Sequence, residues 1–91
     1  MNIPKIENMQ DSKGNRQKNQ FIIQTDQGLF FKSYNSIIAF KPLNGPVILD
    51  AEKWDFSNTT GTYRNIFLRE TKKETEKKIK SGIYKLENLN K

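Results

Sequence analysis

Four short apolar runs, Phe21 to Ile23, Leu29 to Phe31, Ile37 to Phe40 and Val47 to Leu49, are set apart by intervals of turn-forming residues. Runs of this length bounded by Asp, Asn, Gly and Pro fit strands and are too short for helices, so the spacing restricts the first half of the chain to β-structure. In Thr25-Asp26-Gln27-Gly28 the Asp and Gly supply hairpin geometry, with Gly28 free to take positive φ. Asn44-Gly45 repeats the signal, and Pro42 and Pro46 bracket it where a missing N–H is tolerated. Ser33 to Ser36 is polar enough for a bend, or for a bulge that redirects one long strand. The expectation is an antiparallel meander of three or four strands. Because the apolar residues run consecutively, something should cover each face of the sheet, with C-terminal helices on one side.

Length sets the scale of the core. Ninety-one residues make one domain, and only 34% are hydrophobic, so the six phenylalanines, three tyrosines and one tryptophan must supply much of the buried area. Residues 1–18 hold too few apolar side chains to offset the entropy of ordering, which predicts a flexible basic arm carrying Lys5, Lys13, Arg16 and Lys18, ahead of a single α+β domain over 19–91. No cysteine or histidine is present. That removes disulfides, thiolate nucleophiles, His-dependent triads and soft-metal sites, and no cofactor or metal is expected. No run approaches the ~18 apolar residues of a membrane span, and the N-terminal stretch has no apolar leader, so a soluble cytoplasmic protein without a membrane partner is expected. The formal charge of +6 favours polyanionic partners by long-range attraction.

The stretch Trp54 to Leu68, WDFSNTTGTYRNIFL, joins the two halves. Trp54 and Phe56 alternate around Asp55 as in a strand, and Ser57, Asn58, Thr59 and Thr60 are all residues that cap a helix start. A helix from about Thr60 places Tyr63, Ile66 and Phe67 on one stripe, and Trp54, Phe56, Tyr63 and Phe67 are expected in the core. Free N–H groups and hydroxyls at Ser57 to Thr60 could also hold a phosphate or carboxylate, with Arg64 one turn away.

A second helix follows, with Glu74 to Lys78 and Glu76 to Lys80 spaced for ion pairs and Ser81-Gly82 as its stop. Arg69, Lys73, Lys77 and Lys80 recur along one basic stripe suited to a phosphate backbone or an acidic protein face. A solvated Glu/Lys helix has the same pattern. Ile83, Tyr84, Leu86 and Leu89 could form a closing strand or a short turn returning to the sheet. Asp50, Glu52 and Asp55 form the only carboxylate cluster on the strand side, with nothing near in sequence to complete a catalytic site, and no enzyme is expected.

SYNSIIAF, KWDFSNTTGTYRNIFL and KKIKSGIYKL together resemble a group of small uncharacterised proteins and domains common in bacteriophages. The resemblance runs from Ser33 to about Leu89 and is carried by Tyr34, Trp54, Asp55, Ser57, Thr59, Thr60, Tyr63, Phe67, Leu68, Gly82 and Tyr84, with Ser36 and Phe56 as mild departures from Thr and Tyr. It implies a phage or mobile-element origin and no particular chemistry. The expectation is therefore a small α+β domain, an antiparallel sheet followed by two C-terminal helices, that works by stoichiometric binding. One reading is a host protein or nucleoprotein complex as partner, including anti-defence inhibition of the anti-CRISPR type, through an exposed aromatic such as Tyr34 and the basic helix. The other is direct nucleic-acid binding through that helix. Oligomeric state is not readable from these features.

Overall fold

The computed structural model describes residues 3–91 and contains eight elements: β1 (Lys5–Gln10), β2 (Arg16–Thr25), β3 (Gly28–Ser33), β4 (Ser36–Pro42), β5 (Ile48–Asp50), α1 (Asn58–Leu68), α2 (Lys72–Ser81) and β6 (Lys85–Glu87). The strands form one six-stranded sheet in sequence order. The first five pair antiparallel, and β6, returning after both helices, lies parallel to β5. The class is α+β as the sequence predicts, but the sheet is larger than three or four strands and mixed.

The extra strand at one edge comes from the expected flexible arm. Lys5 to Asn8 pair with Gln24 to Phe21. The turn between them is built by Asp11, whose carboxylate accepts the N–H groups of Lys13 and Asn15, both at 2.9 Å, while Gly14 takes φ +82°. Ten-residue β2 offers a ladder longer than β3 can use, and one buried side chain, Met9, anchors β1 to the core. Backbone pairing thus orders a segment whose apolar content could not. Met1 and Asn2, the first residues of the predicted arm, lie outside the described residues.

The turns follow their residue types. Asp26-Gln27 connects Thr25 to its ladder partner Gly28, and Tyr34-Asn35 connects Ser33 to Ser36. Gly28 is required by space as well as by its φ of +144°: a Cβ there would lie 2.8 Å from Pro42 Cα and closer still to the Lys41 carbonyl oxygen. A bulge between Phe31 and Lys32 and the facing Ile37–Ala39 segment turns both Ile38 and Ala39 into the core.

Both helices lie over one face. Phe31 of β3 stacks on Phe67 of α1 at 5.7 Å, and the core gathers Met9, Phe31, Ile38, Ala39, Leu49, Tyr63, Phe67, Leu68 and Tyr84. Residues 51–57 form turns in place of the expected strand: Asp50 accepts the Trp54 N–H through its carbonyl at 3.1 Å and the Lys53 N–H through its carboxylate at 2.9 Å. Without strand alternation Trp54 and Phe56 part company. Trp54 packs against the core, whereas Phe56 is exposed with Lys53 over its ring. Ile66, placed on the buried stripe from its spacing, is 50% exposed, because α1 buries Thr60, Tyr63, Arg64, Phe67 and Leu68 instead.

Candidate binding surfaces

The capping turn forms as its residues predict. Ser57 is the N-cap of α1, its hydroxyl accepting the Thr60 N–H at 3.1 Å. That hydroxyl also donates to Thr60 Oγ1 at 3.0 Å, and Thr60 Oγ1 shares a 2.8 Å hydrogen bond with Ser33 in the sheet. Ser57 and Thr60 are therefore committed to holding α1 on β3, while Asn58 and Thr59 remain exposed at the helix start.

Arg64 is committed too. Only 1% exposed, its guanidinium donates to the Trp54 carbonyl and to Asp55 Oδ1, each at 2.9 Å, and to Asn65 Oδ1 at 2.9 Å, and it lies over the Trp54 ring at 5.1 Å. Its Nε has no partner among the described residues. Lys72, at the first turn of α2, reaches the other Asp55 oxygen at 2.7 Å. Burial alone would raise the Asp55 carboxyl, but the hydrogen bonds and charges of Lys72 and Arg64 outweigh it and hold the group below its ordinary range. A shallow depression of about 340 Å³ opens here, lined by Asn58, Gly61, Asn65 and this three-residue clasp. The clasp locks the turn and both helices together, and Asp55 already neutralises much of the positive charge an incoming anion would meet.

Asp50 and Glu70 do similar work. Asp50 is buried, accepting the N–H groups of Glu52 and Lys53 on one oxygen and that of Leu89 on the other, at 3.2, 2.9 and 2.7 Å, and so ties the C-terminal tail to the turn. Glu52 is exposed. Glu70 accepts from Thr75 Oγ1, Lys78 Nζ and Tyr84 Oη at 2.5, 2.6 and 2.8 Å.

The basic stripe is shorter than its spacing predicts. Arg69 is not on α2: it takes φ +59°, ψ +45° as the C-cap of α1, its N–H donating to the Asn65 and Ile66 carbonyls. The break leaves Thr71 to cap α2 through a reciprocal box with Glu74, whose backbone N–H bonds the Thr71 hydroxyl at 3.2 Å while its carboxylate accepts the Thr71 N–H at 2.9 Å. Glu74 is thereby withdrawn from the expected pair with Lys78, which goes to Glu70. Lys73, Lys77 and Lys80 stay together on α2, exposed and without an ion pair among the described residues. At 100° per residue they lie roughly 150° around the helix from Thr75 and Ile79, which face the core, so the stripe points away from the sheet.

Tyr34 stands at the tip of the β3–β4 hairpin, 42% exposed, with φ +56° and its N–H donating to the Asn19 carbonyl at 2.7 Å. A bulky residue with positive φ is uncommon, since Cβ crowds the backbone there.

One surface was not foreseen as uncovered. Strand registers align Ile6, Ile23, Phe30, Phe40, Ile48 and Lys85 in a single row across all six strands. These residues alternate with the core-facing Ile22, Phe31, Ala39 and Leu49, so they occupy the face opposite the helices. Neither helix covers that face. The consecutive apolar runs pointed to a two-sided sheet, but the residues on each face could be sorted only once the register was known.

No helix among the described residues is long and apolar enough to cross a membrane. No curated protein and no solved structure matches the chain. A family model does match, over residues 4–82, nearly the whole of the sheet and both helices. The chain belongs to that family, a family of unknown function designated DUF8033.

Proposed function

We propose that this chain is a non-enzymatic binding protein of phage or mobile-element origin, acting stoichiometrically on a host protein or nucleoprotein complex in the cytoplasm, with anti-defence inhibition of the anti-CRISPR type as the specific form. The observation that carries the reading is the stripe of Lys73, Lys77 and Lys80 on α2, directed away from the sheet and without an ion pair among the described residues while Lys72 and Lys78 of the same helix are paired. Fixed cations of this kind complement an acidic or nucleic-acid-binding protein surface and speed encounter with it. Asp11, Asp50, Asp55 and Glu70, the buried or half-buried carboxylates among the described residues, hold structure together, which supports a role without acid/base chemistry.

Direct nucleic-acid binding uses the same stripe. Three phosphate contacts give a salt slope of only about −3 in log K against log salt, well short of proteins that make six to ten contacts. Free nucleic acid should therefore bind weakly at physiological salt, which favours the protein partner.

Fluorescence anisotropy with labelled duplex DNA, single-stranded DNA and RNA separates the two. The expected result is binding at low salt that vanishes at physiological salt, together with a defined-stoichiometry complex with one host protein in native mass spectrometry that a Lys73→Glu/Lys77→Glu/Lys80→Glu variant fails to form. Micromolar or tighter nucleic-acid binding that persists at physiological salt and is lost in that variant would establish nucleic acid as the direct partner instead.

A further inference from the structure

The row on the open sheet face is apolar from β1 to β5. Ile6 is 64% exposed, and Ile23, Phe30, Phe40 and Ile48 are half-buried, outside the cluster that forms the core. A second row beside it aligns Asn8, Phe21, Lys32 and Ile37. Seven large apolar side chains thus line one face of a chain in which 29% of residues are charged. With strands about 4.8 Å apart and about 3.3 Å per residue along them, the two rows and their margins cover about 500 Å².

The ring geometry narrows what can cover it. Phe30 and Phe40 lie 4.2 Å apart with planes 15° from parallel. Rings lying flat side by side on a sheet would collide at that separation, so the pair stands upright, face against face, and presents edges to the outside. The Phe21 ring has the Lys32 ammonium 5.6 Å from its centre. Upright edges and a cation-capped ring make a poor platform for stacking nucleobases and a good one for interdigitating with another set of apolar side chains.

We propose that a second copy of this chain covers this face, forming a two-fold dimer in which two sheets pack about 10 Å apart. The charged residues argue for self-pairing. Lys85 ends the first row and Glu87, two residues further along exposed β6, ends the second, beyond Asp50, which is buried and bonded to the C-terminal tail at Leu89. A two-fold axis running across the strands between the two rows lays each row on the other row of the second copy. Lys85 then faces Glu87 of the second copy, twice by symmetry, and Lys32 faces the Phe30–Phe40 stack. The two faces together bury about 1,000 Å², enough for a specific but modest interface. The basic stripes of α2 end up on opposite outer surfaces. This inference stands independently of the function proposed for those stripes.

Sedimentation equilibrium tests it on the full chain, whose monomer mass is 10.7 kDa. The wild type should be dimeric at roughly 100 µM, a concentration suited to an interface of this size. Ile23→Lys should abolish the dimer with its sheet signal in circular dichroism intact. Lys85→Glu and Glu87→Lys, both on an exposed strand where folding is unaffected, should each weaken association about tenfold, and the Lys85→Glu/Glu87→Lys double variant should restore it. The Lys73→Glu/Lys77→Glu/Lys80→Glu variant should dimerise as the wild type does. A monomeric wild type would overturn the proposal and leave the face to a different protein. A dimer indifferent to Ile23→Lys, or to both single charge reversals, would overturn it equally.

Discussion

Ser33 and Thr60, 27 residues apart and both without solvent exposure, join through their side-chain hydroxyls at 2.8 Å. The bond fastens the end of β3 to the first turn of α1. Thr60→Val keeps the side-chain shape but strands the buried Ser33 hydroxyl, and is expected to cost about 1–3 kcal/mol in urea denaturation. Adding Ser33→Ala removes the stranded group and should recover part of that loss. A double variant less stable than Thr60→Val alone would show that Ser33 is satisfied some other way.

Glu70 makes the fold acid-sensitive in a defined direction. Its side chain is 4% exposed. Burial raises its carboxyl, but hydrogen bonds from Lys78, Thr75 and Tyr84 outweigh burial and place it below the ordinary value of about 4.3. A carboxyl depressed in the folded state stabilises fully above its unfolded value, and the contribution is lost as pH falls through the folded one. Glu70→Gln should therefore be less stable than wild type near neutral pH, and the gap should narrow as pH falls below the ordinary carboxylate range. Asp55 is depressed in the same direction, so the variant keeps some acid sensitivity. A gap that stays constant over this range would mean that Glu70 does not ionise differently on folding.

These two contacts mark where sequence reading stops. Strands β2 to β5 and their turns were legible because each apolar run and each Asp, Asn or Gly acts locally. Helix α1 was legible from Ser57 onward for the same reason. Thr60, Arg64, Glu70 and Asp50 each also have a partner 9 to 39 residues away, respectively Ser33, Asp55, Tyr84 and Leu89, and no periodicity reports those. Strand β1 was illegible because its order comes from backbone pairing with β2 and from Met9 alone. The division into two helices was legible, but Arg69, left-handed with neither Gly nor Pro nearby, was assigned to the second helix by the continuous basic spacing although the Thr71-x-x-Glu74 capping box starts that helix later.

Gly28 and Gly14 separate two costs of a side chain at positive φ. A Cβ on Gly14 meets nothing within 4 Å, so Gly14→Ala carries only the conformational term of about 1 kcal/mol. A Cβ on Gly28 would press into the Lys41–Pro42 backbone of the neighbouring strand, which cannot give way without breaking the β3–β4 ladder. Gly28→Ala should cost at least about 3 kcal/mol and can be expected to leave the chain largely unfolded. Thermal unfolding of both variants checks the contrast, and equal losses would refute the close approach.

Tyr34 is where stability and binding should part. Its φ of +56° costs a bulky residue about 1 kcal/mol, and the side chain is 42% exposed. Asparagine adopts the left-handed region more readily and keeps the N–H that Asn19 accepts at 2.7 Å. Tyr34→Asn should therefore raise the unfolding temperature by a few degrees. If Tyr34 lies in the docking surface, the same change should weaken the complex with the host partner tenfold or more in titration calorimetry, since a rigidly held exposed tyrosine is a typical binding hot spot. A variant that gains stability and keeps full affinity would remove Tyr34 from that surface and leave the α2 lysines as its remaining determinant.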